Sequence, residues 1–169
     1  LQKLQKLGEV KIGNHDDWLG MEGMRFQKFL RDLECPVYSG EGIIKIKVGG
    51  QEEYQVYWSH SHWGNSKLNI TNSAKLALQF NAPEADLAML GHTHQSAFEM
   101  FDMAGRLRGA IVGGTYKLYD SYGKKWGMGN AGLPGMTVIM WPNKHQFEIV
   151  RSPEIAQQFI LGQIALQEK

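Results

Sequence analysis

Apolar and polar residues alternate along much of this chain, and the period of the alternation changes at well-marked places. Ile43 to Val48 sets apolar residues against Lys45 and Lys47, Gly49-Gly50 supplies a turn, and Tyr54 to Ser59 runs back toward His60. That pattern predicts a β-hairpin. Glu9 to Ile12 predicts a short strand ahead of it, and Met21 to Leu33 carries Phe26, Phe29, Leu30 and Leu33 at helical spacing before Pro36 stops the helix. Thr71 to Phe80 predicts a second helix with Leu76, Ala77 and Phe80 on one side. Further short strands are expected at Asp86 to Leu90, Phe98 to Met103, Arg108 to Val112, Thr137 to Trp141 and Phe147 to Val150. Ser152-Pro153 then reads as an N-cap and first helical position, with Ile155, Phe159, Ile160 and Ile164 expected on the packed face of a C-terminal helix.

Composition narrows the class. The 169 residues carry a net charge of +1, are 43% hydrophobic and 21% charged, and include 20 glycines, which fits a single domain over residues 1–169 with a sizeable core. The one cysteine, Cys35, forms no internal disulfide, supports no all-thiolate metal site and reads as a small apolar residue. No apolar run approaches the roughly 20 residues of a membrane span, and no charged-then-apolar leader is visible, so the expectation is a cytoplasmic protein without a membrane partner. The near-neutral charge gives no reason to expect bulk nucleic-acid affinity. Leu1, Leu4 and Leu7 fall at helical spacing before Gly8, so the chain opens inside what reads as a helix, and the natural protein is expected to continue upstream.

The candidate chemistry lies in the histidines. Five of the six fall in three short clusters: His15 in Gly13-Asn14-His15-Asp16, His60 and His62 in Ser59-His60-Ser61-His62, and His92 and His94 in Gly91-His92-Thr93-His94. Each cluster follows an expected strand, and strand ends at one sheet edge bring distant residues together. Neutral imidazole binds divalent transition metals, and the Asn14 carboxamide oxygen would add a harder ligand. Gly13 and Gly91 leave the backbone free to turn sharply beside the ligands.

The ordered series Gly13-Asn14-His15-Asp16, a lone histidine after an apolar strand, and Gly91-His92-Thr93-His94 resembles the calcineurin-like metallophosphoesterases. Their pattern runs D-x-H, G-D-x-x-D, G-N-H-D or G-N-H-E, a single histidine, and G-H-x-H. The last three are present here and the first two are absent. The resemblance implies an α/β fold, an αββα sandwich of two mixed β-sheets flanked by helices and truncated at its N-terminus. It also implies two divalent metal ions, manganese, iron or zinc. Asn14, His60 and His92 would hold one and His94 would reach the other. His15 would contact the phosphoryl group and protonate the leaving oxygen, with Asp16 orienting it. The implied reaction is hydrolysis of a phosphate mono- or diester by a hydroxide bridging two ions about 4 Å apart.

Other residues keep two readings. His62 is either a substrate contact at the rim or a loop histidine without a role. Residues 113–135 lose periodicity over a length unusual for a passive connector. Within them Tyr116 and Lys117 begin a run of aromatics and lysines that could stack bases and pair with phosphates, or pack under the loop with its lysines in water. The substrate therefore stays open among phosphomonoesters, nucleotides and single-stranded or duplex nucleic acid. A non-catalytic metal-binding or scaffold module of the same fold is the alternative, and the chain alone is expected to be weakly active or inactive. Asp17 reads as a capping residue, His145 as a solvated turn residue, and Met21, Met24, Met100 and Met103 as core filler. Oligomeric state has no signature.

Overall fold

The computed structural model describes residues 10–11, 28, 32, 37–38, 40–50, 52–114 and 135–167. Asn14, His15, Asp16, Cys35, Tyr116 and Lys117 lie outside them, and the helix expected over Met21 to Leu33 is represented by Lys28 and Asp32, both helical. The chain divides into two compact units, Leu1–Gly42 and Ile43–Lys169. In the first, β1 (Val10–Lys11) pairs in parallel with β2 (Val37–Tyr38), Val10 opposite Val37.

The second unit is built on a five-stranded mixed sheet. Its strands are β3 (Glu41–Val48), β4 (Glu52–Ser59), β5 (Leu87–Leu90), β6 (Ala97–Met103) and β7 (Arg106–Val112), in the order β3-β4-β5-β7-β6. The three central strands, β4, β5 and β7, are parallel, and they are the ones with apolar residues on both faces. Parallel neighbours need a crossover, and helix α1 (Asn72–Phe80) supplies it between β4 and β5. The edge strand β3 carries Lys45 and Lys47, exposed charges that discourage pairing with a foreign strand. At the other edge, β6 and β7 are joined by Ala104 and Gly105, both at positive φ, 51° and 75°. Two such residues match the right-handed twist of a tight hairpin.

Strand alternation separates two cores. Tyr57, Ala88, Leu90, Ala110 and Val112 pack against Ala74, Ala77 and Leu78 of α1. Tyr54, Val56, Leu87 and Ile111 pack on the opposite side against Phe147 and Ile149 of an antiparallel pair, β8 (Thr137–Met140) and β9 (Phe147–Val150). Helix α2 (Pro153–Gln167) lies on β8 and β9, so the layers run helix, sheet, hairpin, helix, as the αββα expectation has it. The sheet and hairpin meet most closely at Gly109. A Cβ there would come 2.5 Å from Leu87 Cδ2 and 2.9 Å from Ile149 Cδ1 and Phe147 Cε2.

Two packing expectations are corrected. On α1 the buried face is Ser73, Ala74, Ala77 and Leu78, while Phe80 is exposed. On α2, Ser152 does cap the first turn, its Oγ accepting from Ile155 N at 3.3 Å. Yet Ile155, Phe159, Ile160 and Ile164 stay 37–47% exposed, and Ala156 is the residue that is buried. The hairpin beneath α2 is two strands wide, too narrow to cover an apolar arc that spans about half the helix circumference.

Candidate metal centre and its surroundings

Strands β4 and β5 run parallel with Ser59 opposite Leu90, so their carboxyl ends release His60 and Gly91 side by side. The ladder continues one step past the strands, Gly91 N donating to His60 O at 3.1 Å. Thr93 N then donates to Gly91 O at 2.9 Å, closing a three-residue turn about His92, whose φ is 71°. Turns of this kind with a positive central φ are rare for residues other than glycine, and such a conformation costs about 1–3 kcal/mol. The turn folds the chain back over β4. It places His92 Nδ1 3.1 Å from His60 Nε2, with the rings edge to face at a centroid separation of 5.0 Å. His94 also has a positive φ, 58°. Backbone strain is thus concentrated in the Gly91-His92-Thr93-His94 segment, where sequence reasoning puts the chemistry.

The separation of the two ring nitrogens can be tested against a shared ion. Ligand nitrogens about 2.05 Å from one ion stand about 3.3 Å apart in tetrahedral and about 2.9 Å apart in octahedral geometry. The observed 3.1 Å lies between, so His60 and His92 fit as two neighbouring ligands of one divalent cation. Among the described residues no group of three His, Cys, Asp or Glu forms a complete site. Asn14, assigned by resemblance to the same ion, lies outside the described residues together with His15 and Asp16. Beside the pair, Thr93 Oγ1 is buried and has no hydrogen-bond partner among the described residues. The sequence singled out Thr93 only as the residue between two histidines, because nothing local marks a hydroxyl as enclosed.

His62 does not join the pair. Its Nδ1 donates to Trp63 O at 3.0 Å and its Nε2 lies 2.9 Å from the Asn81 carboxamide oxygen. The first contact stays within the loop after β4, and the second ties that loop to the end of α1.

A second polar cluster, at the amino ends of the same strands, went unnoticed in the sequence. Asp86, just before β5, is buried; its Oδ2 accepts from Gln55 N at 2.8 Å, and its Oδ1 accepts from Arg106 Nη2 at 3.0 Å and His145 Nε2 at 2.8 Å. His145 Nδ1 faces Glu52 Oε2 at 3.2 Å, and the ring stacks on Tyr54 with centroids 4.7 Å apart. His145 is in a turn, as expected, but it is engaged rather than merely solvated. Its bond to Asp86 is the main cause of a raised pKa, opposed by burial and reinforced by the charges of Asp86 and Glu52. The Tyr54 hydroxyl secures the same turn: it lies 2.8–2.9 Å from the carbonyls of Trp141, Lys144 and Gln146, and it accepts from Trp141 N and Gln146 N at 3.1 Å.

No family model matches the chain, and no curated protein matches it. Among solved structures it is similar to a double mutant of Vps29 from Entamoeba histolytica, at 16% identity and a TM-score of 0.40, covering 78% of this chain and 77% of that one. Wild-type Vps29 of the same organism, complexed with zinc, aligns at 18% identity and a TM-score of 0.36 over 75% of this chain and 74% of that one. The solution structure of protein TM1076 from Thermotoga maritima aligns at 12% identity and a TM-score of 0.36, over 76% and 74%. No described helix is long and apolar enough to cross a membrane.

Proposed function

We propose that this chain carries part of the metal centre of a metallophosphoesterase, and that His60 and His92 bind one divalent cation at the carboxyl ends of β4 and β5. The single observation that carries the reading is the 3.1 Å approach of His60 Nε2 to His92 Nδ1, made by residues 32 positions apart. The strained turn at His92 supports it, since a conformation that costs stability is retained where it aims a side chain. In this reading Asn14 is a further ligand to the first ion, His94 reaches a second ion whose other ligands and bridging aspartate are not among these 169 residues, and the substrate is a phosphate ester. His15 gives a proton to the leaving oxygen while Asp16 holds its ring. A bound divalent ion would supply Lewis acidity toward the phosphoryl oxygens and lower the pKa of water toward neutrality. The residues' own part is to present neutral imidazole lone pairs from two rigid strand ends, so that little side-chain ordering remains when the ion arrives.

Calorimetric titration with zinc and manganese tests the assignment. His60→Ala and His92→Ala should each weaken binding by more than the roughly 10- to 100-fold that loss of an outer-sphere partner costs. Unchanged affinity in either variant would overturn it. A binding module without turnover is the second reading of the same approach of His60 to His92. Metal-dependent cleavage of an activated phosphodiester separates the two.

A further inference from the structure

The turn between β8 and β9, residues 141–146, is fastened to the amino end of β4 by two side chains. From β4, the Tyr54 hydroxyl is bonded to the backbone of Trp141, Lys144 and Gln146. From the turn itself, the His145 ring stacks on Tyr54 and sets Nδ1 3.2 Å from Glu52 Oε2 and Nε2 2.8 Å from Asp86 Oδ1. Two cations stand near that ring. Arg106 Nη2 shares Asp86 Oδ1 with it at 3.0 Å, and the Lys144 ammonium sits over the Trp141 ring, 5.0 Å from its centroid.

A neutral imidazole has one N–H and one lone pair, and only the cation donates from both nitrogens. With a carboxylate oxygen against each nitrogen, the ring makes both bonds as an imidazolium; once it loses a proton, one nitrogen turns a lone pair on a carboxylate and that bond is gone. The raised pKa of His145 agrees with this geometry. The other bonds of Asp86, to Gln55 N and Arg106, do not involve the turn, so the sheet keeps them whichever form the ring takes. Release is therefore confined to residues 141–146 and what rests on them.

We propose that residues 141–146 form a proton-operated clasp: the turn is shut against β4 and β5 while His145 is an imidazolium bridging Glu52 and Asp86, and it opens locally, with the sheet intact, when that ring loses its proton. The clasp reaches α2 as well, because Trp141 at the head of the turn packs on Phe159 at a centroid distance of 6.3 Å. A change of pH at one histidine is thus passed to the helix that covers the β8–β9 layer.

The test is amide hydrogen exchange of the full chain, followed by NMR together with the His145 ring resonances across the histidine titration. The ring should titrate above the ordinary value of about 6.5. Across the same midpoint, the protection factors of Trp141 N and Gln146 N should fall about 3- to 30-fold, the worth of one partly exposed hydrogen bond to a charged group, while the amides of β5 keep theirs. His145→Gln should hold both turn amides at the alkaline wild-type level at every pH. Glu52→Gln offers the neutral ring an amide that can match either tautomer, so the turn should stay shut at alkaline pH and the His145 midpoint should move down. A flat pH profile at the two turn amides, a step that survives His145→Gln, a loss of protection shared by β5, or a Glu52→Gln turn that opens as the wild type does would each overturn the proposal.

Discussion

The two ends of the β4–β5 pair use histidine in opposite ways. At the amino end both ring nitrogens of His145 meet carboxylate oxygens, and Asp86 collects a histidine, an arginine and a backbone N–H. At the carboxyl end a nitrogen of His60 meets a nitrogen of His92. A carboxylate partner favours the protonated ring, the direction in which Asp86 shifts His145. A nitrogen partner must share one proton between two lone pairs, which suits the pair to exchange that proton for a metal ion. The same side chain thus meets carboxylates at one end of the β4–β5 pair and a second imidazole at the other.

Three changes would break or sharpen that contrast. Asp86→Ala should have the largest effect, because it removes the buried acceptor of the Gln55 N–H and releases Arg106 and His145, whose side chains are 48% and 43% exposed and partly regain water. Loss of a buried hydrogen-bond partner costs about 1–3 kcal/mol, and urea unfolding should show a loss of that order with zinc affinity per folded molecule unchanged. A loss under about 1 kcal/mol would mean the amino end is not structural. His92→Gly should move stability the other way, by up to about 1 kcal/mol, since glycine adopts a φ of 71° without strain, while zinc binding collapses. A destabilised His92→Gly would show that the imidazole holds the fold together. The smallest effect concerns pH. The folded-state pKa of His145 is raised, so its stabilisation is full below the ordinary value of about 6.5 and is lost as pH rises through the raised value. Thermal midpoints should therefore decline modestly from pH 6 into the mildly alkaline range, and His145→Gln should flatten that slope.

Most elements were legible because their signals are local. The alternation from Tyr54 to Ser59, the Gly49-Gly50 turn and the Ser152-Pro153 cap each act within a few residues, and each stands where the pattern puts it. The approach of His60 to His92 was legible as a consequence of strand ends, given parallel neighbours. What escaped depends on partners distant in the chain. His145 lies 59 positions from Asp86 and 93 from Glu52, and no spacing rule links them. Phe80 and the apolar residues of α2 have helical periodicity, but periodicity tells which positions are apolar and not whether a layer exists to cover them.

The enclosure of the Tyr54 hydroxyl has one more consequence. Its ring is wholly shielded, and its oxygen is bonded on every side by the backbone at 141–146. A phenol in that position is chemically silent in the native protein, so a tyrosine-modifying reagent that reaches it records an occasion on which the β8–β9 layer has lifted from the sheet.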